Sequence, residues 1–410
     1  MDLKNSVCTT CGCLCDEIEI QIEENRITRV ENACGRGTAF IYATDNLERR
    51  TPSLVRGRQV SPQEAIEEAA QLLRQARHPL IFGLDNSTLE AQAVAIRLAK
   101  GLKAVIDDVS SFCHGTVNEL IINGSLPTCS FSEVKDTDLL IYWGSNCQHS
   151  HPRHLSHCSY YSHERYLEAG WFPDVTLSSV EVRETETTSL CKPAFRLSPG
   201  GDRDFISAIL DTLSGKGESK QAKDFVGLIK KSHFCTVFVG LGLVYALDDD
   251  FSQFRQMMKA LSEWSRLAVI PMLGHSNMQG FNHSLYKETG HVNKVSFANG
   301  VRWGREFSFL EQVRNRASDC VLIIGSDPVV NLPHSLVQNL RGIPIICLDP
   351  FINTTTSAAQ VVIGVAVSGI ETGGKVIRMD GEEMSLQPVK TAESPSDEEA
   401  LSQLLERVVR

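Results

Sequence analysis

Residues 79–106 read PLIFGLDNSTLEAQAVAIRLAKGLKAVI, and this stretch indicates the class of fold. Residues 79–84 form a short apolar run of the length expected for a buried strand. Within residues 87–100, five apolar side chains fall on one helical face: Ala91, Val94, Ala95, Leu98 and Ala99. Residues 104–106 form a second apolar run. Strand, helix and strand in this order predict a β-α-β unit and therefore a parallel sheet.

Two further apolar runs end in matching glycine turns. Residues 138–143 lead into Gly144-Ser145-Asn146, and residues 320–324 lead into Gly325-Ser326-Asp327-Pro328. In doubly wound sheets, ligands lie at the carboxyl ends of strands, where unpaired backbone N–H groups bind anions. Both turns are therefore candidates for contacts with phosphate, although small residues also serve ordinary strand-to-helix turns.

A second strand-helix-strand pattern follows later in the chain. Residues 236–242 resemble the apolar edge at 82–84, and a helical pattern at 251–265 and an apolar run at 267–270 come after them. Residues 344–350 add one more buried strand. The repetition predicts two similar α/β halves.

Four cysteines near the N-terminus form the pattern C-x2-C-x3-C-x18-C: Cys8, Cys11, Cys15 and Cys34. Three closely spaced thiols and a fourth that returns after a predicted hairpin are typical of a cubane iron–sulfur cluster. A structural zinc site and disulfides are the alternatives, but zinc sites usually pair two C-x2-C knuckles, which the x3 spacing does not match. Cys13, a fifth thiol inside the run, is interpreted as a bystander.

These patterns predict an α/β protein with a small N-terminal iron–sulfur domain and two Rossmann-like, doubly wound α/β domains. We place the cluster domain at residues 1–57, the first α/β domain at 58–215 and the second at 223–390. Residues 391–410 are predicted to form a C-terminal helix. Residues 214–222, which are rich in Gly, Ser and Lys, are the expected loop between the two α/β domains.

Composition limits the classes of function. The chain has 410 residues, of which 42% are hydrophobic and 22% are charged, and its formal net charge is -10. This acidic balance does not favour nucleic acid, and the longest apolar stretch, 361–367, is far shorter than the ~20 residues of a membrane-spanning helix. The N-terminus lacks a signal-segment pattern, so the 13 cysteines indicate reduced thiols and metal ligands. We therefore expect a cytoplasmic enzyme that binds neither nucleic acid nor membrane.

Cys113 and His114 form a separate candidate site. They follow the predicted strand at 104–106 and the acidic pair Asp107-Asp108, which places them on a loop at the carboxyl end of a strand. A thiolate there can ligate a soft metal, and the adjacent imidazole can move a proton or lower the pKa of the thiol. The alternative is a buried cysteine on a turn, with a histidine that caps a backbone carbonyl.

Four histidines lie within nine residues: His149, His151, His154 and His157. Arg153 lies among them, shortly after the Gly144 turn, and a guanidinium suits contact with phosphate or carboxylate. A metal site is the alternative, but His151 and His154 would need a helix to converge on one ion, and Pro152 restrains the backbone. Anion recognition is therefore the favoured interpretation.

Several motifs together resemble the B-type subunit of formylmethanofuran dehydrogenase, almost end to end and in collinear order. They are the cysteine run 7–16, Cys113-His114-Gly115, Trp143-Gly144-Ser145-Asn146 with His151-Pro152-Arg153-His154, Gly274-His275-Ser276-Asn277 with Gly280-Phe281-Asn282, Glu288-Thr289-Gly290, Gly325-Ser326-Asp327-Pro328, and residues 368–374 with Arg378-Met379-Asp380. That family is similar to the molybdopterin oxidoreductases related to formate dehydrogenase and DMSO reductase. The resemblance therefore implies their fold.

The resemblance also implies cofactors. The four N-terminal cysteines would hold a [4Fe-4S] cluster, and the two α/β halves would bind two molybdopterin guanine dinucleotides that carry tungsten or molybdenum. Cys113 would ligate that metal, with His114 beside it for proton transfer. The further cofactor-binding positions expected from the motifs and strand ends are Gly144, Ser145, Asn146, His151, Arg153, His154, Gly274, His275, Asn277, Gly325, Ser326, Asp327, Pro328, Asp349, Gly369, Glu371 and Gly373.

The implied reaction is the reversible reduction of CO2 to formate. An amidohydrolase-like partner would attach the formyl group to methanofuran or a related C1 carrier. Because few residues follow Asp380, we expect a small barrel-containing partner to supply the usual C-terminal barrel of molybdopterin enzymes. A glutamate synthase-like partner, or a formyltransferase, would complete the complex.

One position departs from the family's pattern. The family carries an arginine before the Gly-His of Gly274-His275, where it would contact the C1 substrate, and this chain has Leu273. Cys147 and Ser276 also differ, because relatives carry a proline and an aromatic residue there. These changes favour a second hypothesis, a non-redox structural component of the bacterial formyltransferase/hydrolase complex of tetrahydromethanopterin-linked formaldehyde oxidation. The retained thiols, Cys113 among them, favour the redox hypothesis.

Overall fold

The structure is a computed structural model that describes residues 2–162 and 175–409. The chain forms two compact units. The first unit contains the residues up to Phe112, His275–Arg378 and the residues from Glu383 onward, and the second contains Cys113–Gly274 together with Met379–Glu382. Each unit is built around a main β-sheet of its own.

Two sheets and a hairpin organise the first unit. The small antiparallel sheet has three strands in the order Asp2–Ser6, Ile18–Glu23 and Arg26–Glu31. From edge to edge, the large mixed sheet has the strands Arg302–Trp303, Val295–Ser296, Val105–Asp107, Pro79–Gly83, Cys320–Ile324, Ile345–Asp349, Val361–Gly364, Leu54–Val55 and Arg58–Gln59. The central strands, from Val105–Asp107 to Val361–Gly364, are parallel. The hairpin pairs Gly374–Ile377 with Glu383–Leu386.

Helices pack on both faces of the large sheet. The α-helices of the first unit are Gly35–Ala43, Pro62–Gln75, Leu89–Leu102, Met278–Thr289, Phe309–Arg314, Pro328–Asn331, His334–Val337, Thr354–Ala358 and Asp397–Val408, and its 3-10 helices are Val109–Phe112, Arg305–Phe307 and Gln338–Leu340. Because side chains alternate along a strand, Ile81 enters one hydrophobic core and Phe82 enters the core on the opposite face. Ser61, Thr88 and Ser396 cap their helices by accepting a backbone N–H three residues later.

The described residues of the second unit form one parallel sheet of five strands, in the order Ala194–Arg196, Thr176–Glu181, Leu139–Trp143, Phe234–Val239 and Arg266–Pro271. The α-helices described in this unit are Gly115–Ile122, Phe131–Val134, Cys147–Ser150, His154–His157, Asp202–Leu213, Lys220–Lys231, Leu241–Leu247 and Ser252–Leu261, with a 3-10 helix at Thr188–Leu190. Trp143 packs against Phe205 and Phe254 in the core. Among the described helices of both units, none is long and apolar enough to cross a membrane.

The predicted β-α-β unit at the start of the α/β region is confirmed. It consists of strand Pro79–Gly83, helix Leu89–Leu102 and strand Val105–Asp107. The two strands are adjacent and parallel, with Ile81 opposite Ile106. The apolar run was therefore a correct signal for a buried strand, because all five residues of the first strand are buried.

The compact units differ from the predicted division into residues 58–215 and 223–390. Strand Pro79–Gly83 pairs with Cys320–Ile324, and Leu139–Trp143 pairs with Phe234–Val239, so each main sheet takes strands from both predicted halves. Periodicity identifies a parallel strand but not its partner, because long crossover connections separate parallel neighbours in the sequence.

Two further predicted segments lie inside these units. Residues 214–222 do not join domains, because they connect helices Asp202–Leu213 and Lys220–Lys231 inside the second unit and include the start of the second helix. The predicted C-terminal helix forms over Asp397–Val408, and its buried Ala400, Leu401 and Leu404 belong to the hydrophobic core of the first unit.

Candidate cluster and cofactor sites

The four predicted cluster cysteines all lie in the first unit, on two segments that meet at Cys8 and Cys34. Strands Asp2–Ser6 and Ile18–Glu23 pair directly, and the loop between them is closed further by a hydrogen bond from Cys8 N–H to the Cys15 carbonyl (2.9 Å). A hairpin then returns the chain to Cys34, as predicted. A β-carbon built on Gly37 would lie 3.0 Å from the Cys8 sulfur and 3.8 Å from the Cys34 sulfur, so the fourth thiol lies beside the first.

Hydrogen bonds to Ser368 and Gly369 hold the loop that carries the first three cysteines. Ser6 donates a hydrogen bond to the Gly369 carbonyl (3.2 Å), and Thr9 donates one to the Ser368 carbonyl (3.1 Å). Gly369 has a φ of +84°, and a β-carbon there would lie 3.0 Å from the Thr9 methyl group. Gly369, which was predicted as a cofactor contact, therefore supports the cysteine loop through a backbone turn that favours glycine.

The raised pKa values of two of these thiols are consistent with a site that binds metal ions. Burial, together with the negative charges of Cys11 and Cys34, raises the pKa of Cys8. A hydrogen bond with Cys13, followed by burial, raises the pKa of Cys11. Thiolates in such a place are stabilised by metal ions bound to them. All 13 cysteines lie in the described residues and none forms a disulfide, which removes the disulfide alternative but leaves cluster and zinc open.

A cavity of about 580 Å³ lies at the carboxyl ends of the central strands of the first unit. Five of the predicted cofactor-binding residues line it: His275, Gly325, Ser326, Asp327 and Asp349. Thr9, Thr10 and Arg36, which belong to the cysteine-bearing segments, line it as well. The cavity and the cysteine loop are therefore neighbours within one unit. A site at this edge of the sheet agrees with the general position of ligands in doubly wound folds.

The acidic residues of the cavity wall are held by hydrogen bonds. Asp327 accepts hydrogen bonds from the Thr355 N–H (2.9 Å) and hydroxyl (2.6 Å). Asp349 accepts hydrogen bonds from the Phe351 N–H (2.9 Å) and the Asn353 side chain (3.0 Å). Burial nevertheless raises the pKa of Asp349 to about 7, so near neutral pH this carboxyl group can either donate or accept a hydrogen bond.

His275 is a neutral imidazole in the cavity wall. The Asn86 side-chain amide donates hydrogen bonds to His275 Nδ1 (3.2 Å) and to the Gly325 carbonyl (3.0 Å). Burial, with a smaller contribution from the charge of Arg36, lowers the pKa of His275 to about 4. Since Nδ1 accepts a hydrogen bond, the ring carries its proton on Nε2.

Among the polar residues of this cavity that the predictions missed are Arg36, Arg49 and Asn86. Arg36 follows Cys34 by two residues, so the cysteine motif itself contained this signal. Asn86 follows the end of strand Pro79–Gly83, which is where ligand contacts are expected. Arg49 had no local signal, because it comes from an irregular segment that only the fold brings to the cavity.

The glycine turns of both units lie at close approaches between the backbones of neighbouring strand ends. Gly144 (φ +60°) packs against the segment after strand Phe234–Val239, where a β-carbon on Gly240 would lie 2.2 Å from the Gly144 carbonyl oxygen. In the first unit, a β-carbon on Gly83 would lie 2.2 Å from the Ile324 carbonyl oxygen, directly before Gly325 (φ +57°). Only glycine permits these approaches, which explains the repeated glycines of the sequence.

The polar residues that follow the two glycine turns also correspond. Asn146 precedes helix Cys147–Ser150 and accepts a hydrogen bond from the Thr187 hydroxyl (2.9 Å). Asp327 precedes helix Pro328–Asn331 and accepts one from the Thr355 hydroxyl (2.6 Å). The matching turns that the sequence predicts are therefore structural counterparts. In the second unit, Asn146 also donates to the exposed Glu186 carboxylate (2.7 Å).

The side chains of Cys113 and His114 form a hydrogen-bonded pair in the second unit. Cys113 Sγ lies 2.9 Å from His114 Nδ1, and His114 Nε2 lies 3.2 Å from the Val239 carbonyl oxygen. The carbonyl can only accept, so Nε2 carries the proton and Nδ1 accepts a hydrogen bond from the thiol. Burial, with a contribution from His151, lowers the pKa of His114 to about 4. Cys113 is only half-buried, so it is not a cysteine of the hydrophobic core.

Four of the predicted contact residues have packing or bonding roles within the protein. His154 is fully buried among aromatic rings, 4.6 Å from Phe238 between ring centroids. Asn277 donates to the Ser87 carbonyl and accepts from the Ile377 N–H. Glu371 forms an ion pair with Arg50 (2.9 Å). A β-carbon on Gly373 would lie 2.9 Å from the Leu386 carbonyl oxygen.

The remaining predicted residues lie beside these elements. His151 Nε2 lies 2.7 Å from the Leu273 carbonyl oxygen in the second unit, and Ser145 is buried after Gly144. Arg153 directly precedes helix His154–His157, and Pro328 is the buried first residue of its helix. A β-carbon on Gly274 would meet open space. None of these residues lines the cavity of the first unit.

Solved structures with the same fold define the class of protein. One is the crystal structure of the formyltransferase/hydrolase complex from Methylorubrum extorquens in complex with methylofuran, with a TM-score of 0.70, 19% identity, and coverage of 87% of this chain and 98% of that chain. Another is acetylene hydratase from Pelobacter acetylenicus, with a TM-score of 0.64, 12% identity, and coverage of 99% of this chain and 69% of that chain. No protein-family model matches the chain. The chain thus has an α/β fold shared with these two proteins.

Sequence relatives identify the family. The B-type subunit of the tungsten-containing formylmethanofuran dehydrogenase 2 of Methanocaldococcus jannaschii is 32% identical over 409 aligned residues, which cover 94% of this chain and 93% of that protein. The corresponding protein of Methanococcus maripaludis is 29% identical and covers 99% of this chain and 98% of its own length. The chain belongs to the family of B-type formylmethanofuran dehydrogenase subunits, as its motifs predicted.

Proposed function

We propose that this chain is the redox component of a formylmethanofuran dehydrogenase-type complex, for the reversible reduction of CO2 to formate. It would hold a [4Fe-4S] cluster and a bis-pterin guanine dinucleotide site with tungsten or molybdenum. The observation that carries the proposal is the shared boundary of the cysteine loop and the strand-end cavity. Thr9, Thr10 and Arg36 belong to the cysteine-bearing segments and line that cavity.

The residues around the four thiols fit a cluster. Cys8, Cys11, Cys15 and Cys34 would hold it, and a side chain at Gly37 would press on the Cys8 sulfur, since its β-carbon would lie 3.0 Å away. Glycine therefore keeps the space between the first and fourth thiols clear. Four thiolates and a partly buried site are the donor set that iron–sulfur clusters use.

The cavity of the first unit fits a phosphorylated cofactor. The backbone N–H groups of Ser326 and Asp327 and the guanidinium groups of Arg36 and Arg49 would hold its phosphates. Asp349, with a pKa of about 7, and Asn353 can bond the polar edge of a heterocycle. The corresponding turn at Gly144 would hold a second dinucleotide in the second unit.

Cys113 and His114 would do the proton chemistry at the metal. The bound metal site would exchange an electron pair with the C1 substrate. Ligation requires the Cys113 sulfur to lose its proton, and His114 Nδ1, 2.9 Å away, is placed to accept it. The Val239 carbonyl keeps the Nε2 proton in place and so directs Nδ1 at the sulfur. Formation of formate from CO2 takes up an electron pair and a proton, and His114 would handle that proton.

One observation favours the second candidate function, a structural component of a formyltransferase/hydrolase complex without redox chemistry. Leu273 is 1% exposed and its side chain is apolar, so only its backbone makes hydrogen bonds, to His151 and to the Pro271 carbonyl. It cannot supply the cation that the family's arginine would place before Gly274-His275. In that case the chain would have the same kinds of partner proteins as in the redox proposal. Formate would be released by hydrolysis of the formylated C1 carrier.

Metal analysis of the complex purified with its partner proteins separates the two candidates. The redox proposal expects about four iron atoms per chain and stoichiometric tungsten or molybdenum. Cys113→Ala should eliminate formate-dependent dye reduction while the complex still assembles. Cys129→Ala, which removes another buried thiol of the second unit, is the control and should retain activity. The absence of both heavy metals, or undiminished activity of Cys113→Ala, would overturn the redox proposal.

A further inference from the structure

The fifth cysteine of the N-terminal loop, Cys13, is buried against Cys11. Cys13 is 1% exposed, and the Cys11 and Cys13 sulfur atoms lie within 4.8 Å of each other. A side-chain hydrogen bond joins the two groups, and the backbone N–H of Cys13 donates to the Cys11 sulfur as well. Cys13 is therefore in direct contact with one of the four predicted ligands and is not a bystander to it.

The backbone fixes this contact. The Leu14 N–H donates to the Cys11 carbonyl (3.1 Å), which closes a tight turn with Cys13 at its third position. Leu14 has a φ of +42°, and its fully buried side chain packs with Val376 and Leu386. Leu14 cannot leave this conformation without exposing its apolar side chain, so the turn that contains Cys13 is held in place. The Cys13 sulfur is thus presented to Cys11 by the fold.

The direction of the hydrogen bond follows from the chemistry of a ligand thiolate. When Cys11 binds a metal, its sulfur has no proton to donate, so the proton between the two sulfurs belongs to Cys13. A donor to a ligand sulfur withdraws negative charge from that sulfur. The reduced cluster carries the greater negative charge and gains most from such a donor, which is how hydrogen bonds to sulfur raise reduction potentials.

We propose that Cys13 is a positioning residue that donates a hydrogen bond from its thiol to the Cys11 sulfur and thereby raises the reduction potential of the cluster held by this loop. The inference rests on the proposed function, because it requires a cluster at Cys8, Cys11, Cys15 and Cys34. It assigns Cys13 a role beside the ligand set and not within it.

The test uses Cys13→Ala and Cys13→Ser in the complex purified with its partners. Two quantities are measured: the iron content per chain, and the midpoint potential of the cluster by a mediated redox titration followed by electron paramagnetic resonance. Both variants should keep the wild-type iron content. Cys13→Ala should shift the midpoint potential to more negative values, and Cys13→Ser should restore most of the shift, because its hydroxyl can still donate.

A matched control and the outcomes separate this inference from the proposed function. Cys320→Ala removes a buried thiol from a strand of the same unit, outside the cysteine loop, and should leave the potential unchanged. A wild-type complex without iron means that the proposed function fails. If iron is present and Cys13→Ala has the wild-type potential, only this inference is overturned. Loss of iron in both Cys13 variants overturns it too, since Cys13 would then be a ligand.

Discussion

Asp349 shows how burial sets the chemistry of a single residue in the cavity wall. Its carboxyl group lies at the end of strand Ile345–Asp349 and accepts two hydrogen bonds, which favour the charged form. Burial outweighs them and raises the pKa from 3.8 to about 7. The cavity therefore has a wall residue whose charge changes near neutral pH.

The shifted pKa predicts a pH dependence of stability. The folded pKa is raised, so Asp349 binds a proton more tightly in the folded protein than in the unfolded chain. Its favourable contribution is complete below about pH 4 and is lost as the pH rises to about 7. Asp349→Asn should therefore make the fall in unfolding free energy between about pH 5 and 7 shallower, by up to roughly 1.4 kcal/mol per pH unit.

Chemical denaturation at several pH values measures this effect. Asp224→Asn is a suitable control, because Asp224 is exposed on helix Lys220–Lys231 and should give the wild-type pH dependence. An Asp349→Asn variant whose unfolding free energy has the wild-type pH dependence would contradict the prediction.

At the scale of elements, the helix Gly35–Ala43 joins the cysteine motif to the cavity. Cys34 caps the helix by accepting the Gly37 N–H (3.4 Å), and Arg36 on its first turn lines the cavity. Two glycines in the first turn of a helix are costly for its stability, because glycine has high conformational freedom in the unfolded chain. Their surroundings explain only one of them, since Gly37 faces the Cys8 sulfur and Gly35 faces open space.

This difference predicts that substitutions at the two glycines affect the iron content differently. Gly37→Ala should lower the iron content of the purified complex severalfold, because its β-carbon would lie 3.0 Å from the Cys8 sulfur. Gly35→Ala is the matched control and should keep the iron content, with a helix more stable by roughly 0.5–1 kcal/mol. Iron analysis and thermal unfolding of both variants measure these effects. Equal iron contents in the two variants would refute the role given to Gly37.

At the scale of the whole molecule, the chain enters the first unit more than once. Strand Pro79–Gly83 is separated by more than two hundred residues from its partner Cys320–Ile324, whereas the five described strands of the second unit lie within Cys113–Gly274. The second unit is therefore nearly continuous in sequence. Its one distant contribution is Met379–Glu382, from which Asp380 accepts the Phe131 N–H (2.6 Å).

The topology predicts which fragment of the chain folds alone. A fragment of residues 113–274 should show cooperative denaturant unfolding, because it contains the complete five-stranded sheet and its core. A fragment of residues 58–215, the domain predicted from the sequence, should not, since it lacks Cys320–Ile324 and Phe234–Val239, each of which is one of the two partners of a central strand in the fragment. Circular dichroism during urea titration compares them. Cooperative unfolding of residues 58–215 alone would contradict this organisation.

Local patterns determined the elements of this protein and most of its chemical groups. The α/β class, the strand at 320–324, the hairpin before Cys34 and the matching turns at Gly144 and Gly325 all follow from hydrophobic periodicity and turn chemistry, which act over a few residues. The pairing of Cys113 with His114 is equally local. These features could be predicted because neighbours in sequence remain neighbours in space.

Only the tertiary structure decided which strands pair and which polar residues reach a cavity. His154 and Asn277 belong to family motifs, yet the fold buries one among aromatic rings and uses the other to bond backbone groups. Arg49 carries no motif and lines the cavity. The physical reason is that strand pairing and side-chain burial are chosen to cover apolar surface across the whole chain, and no local pattern contains that information.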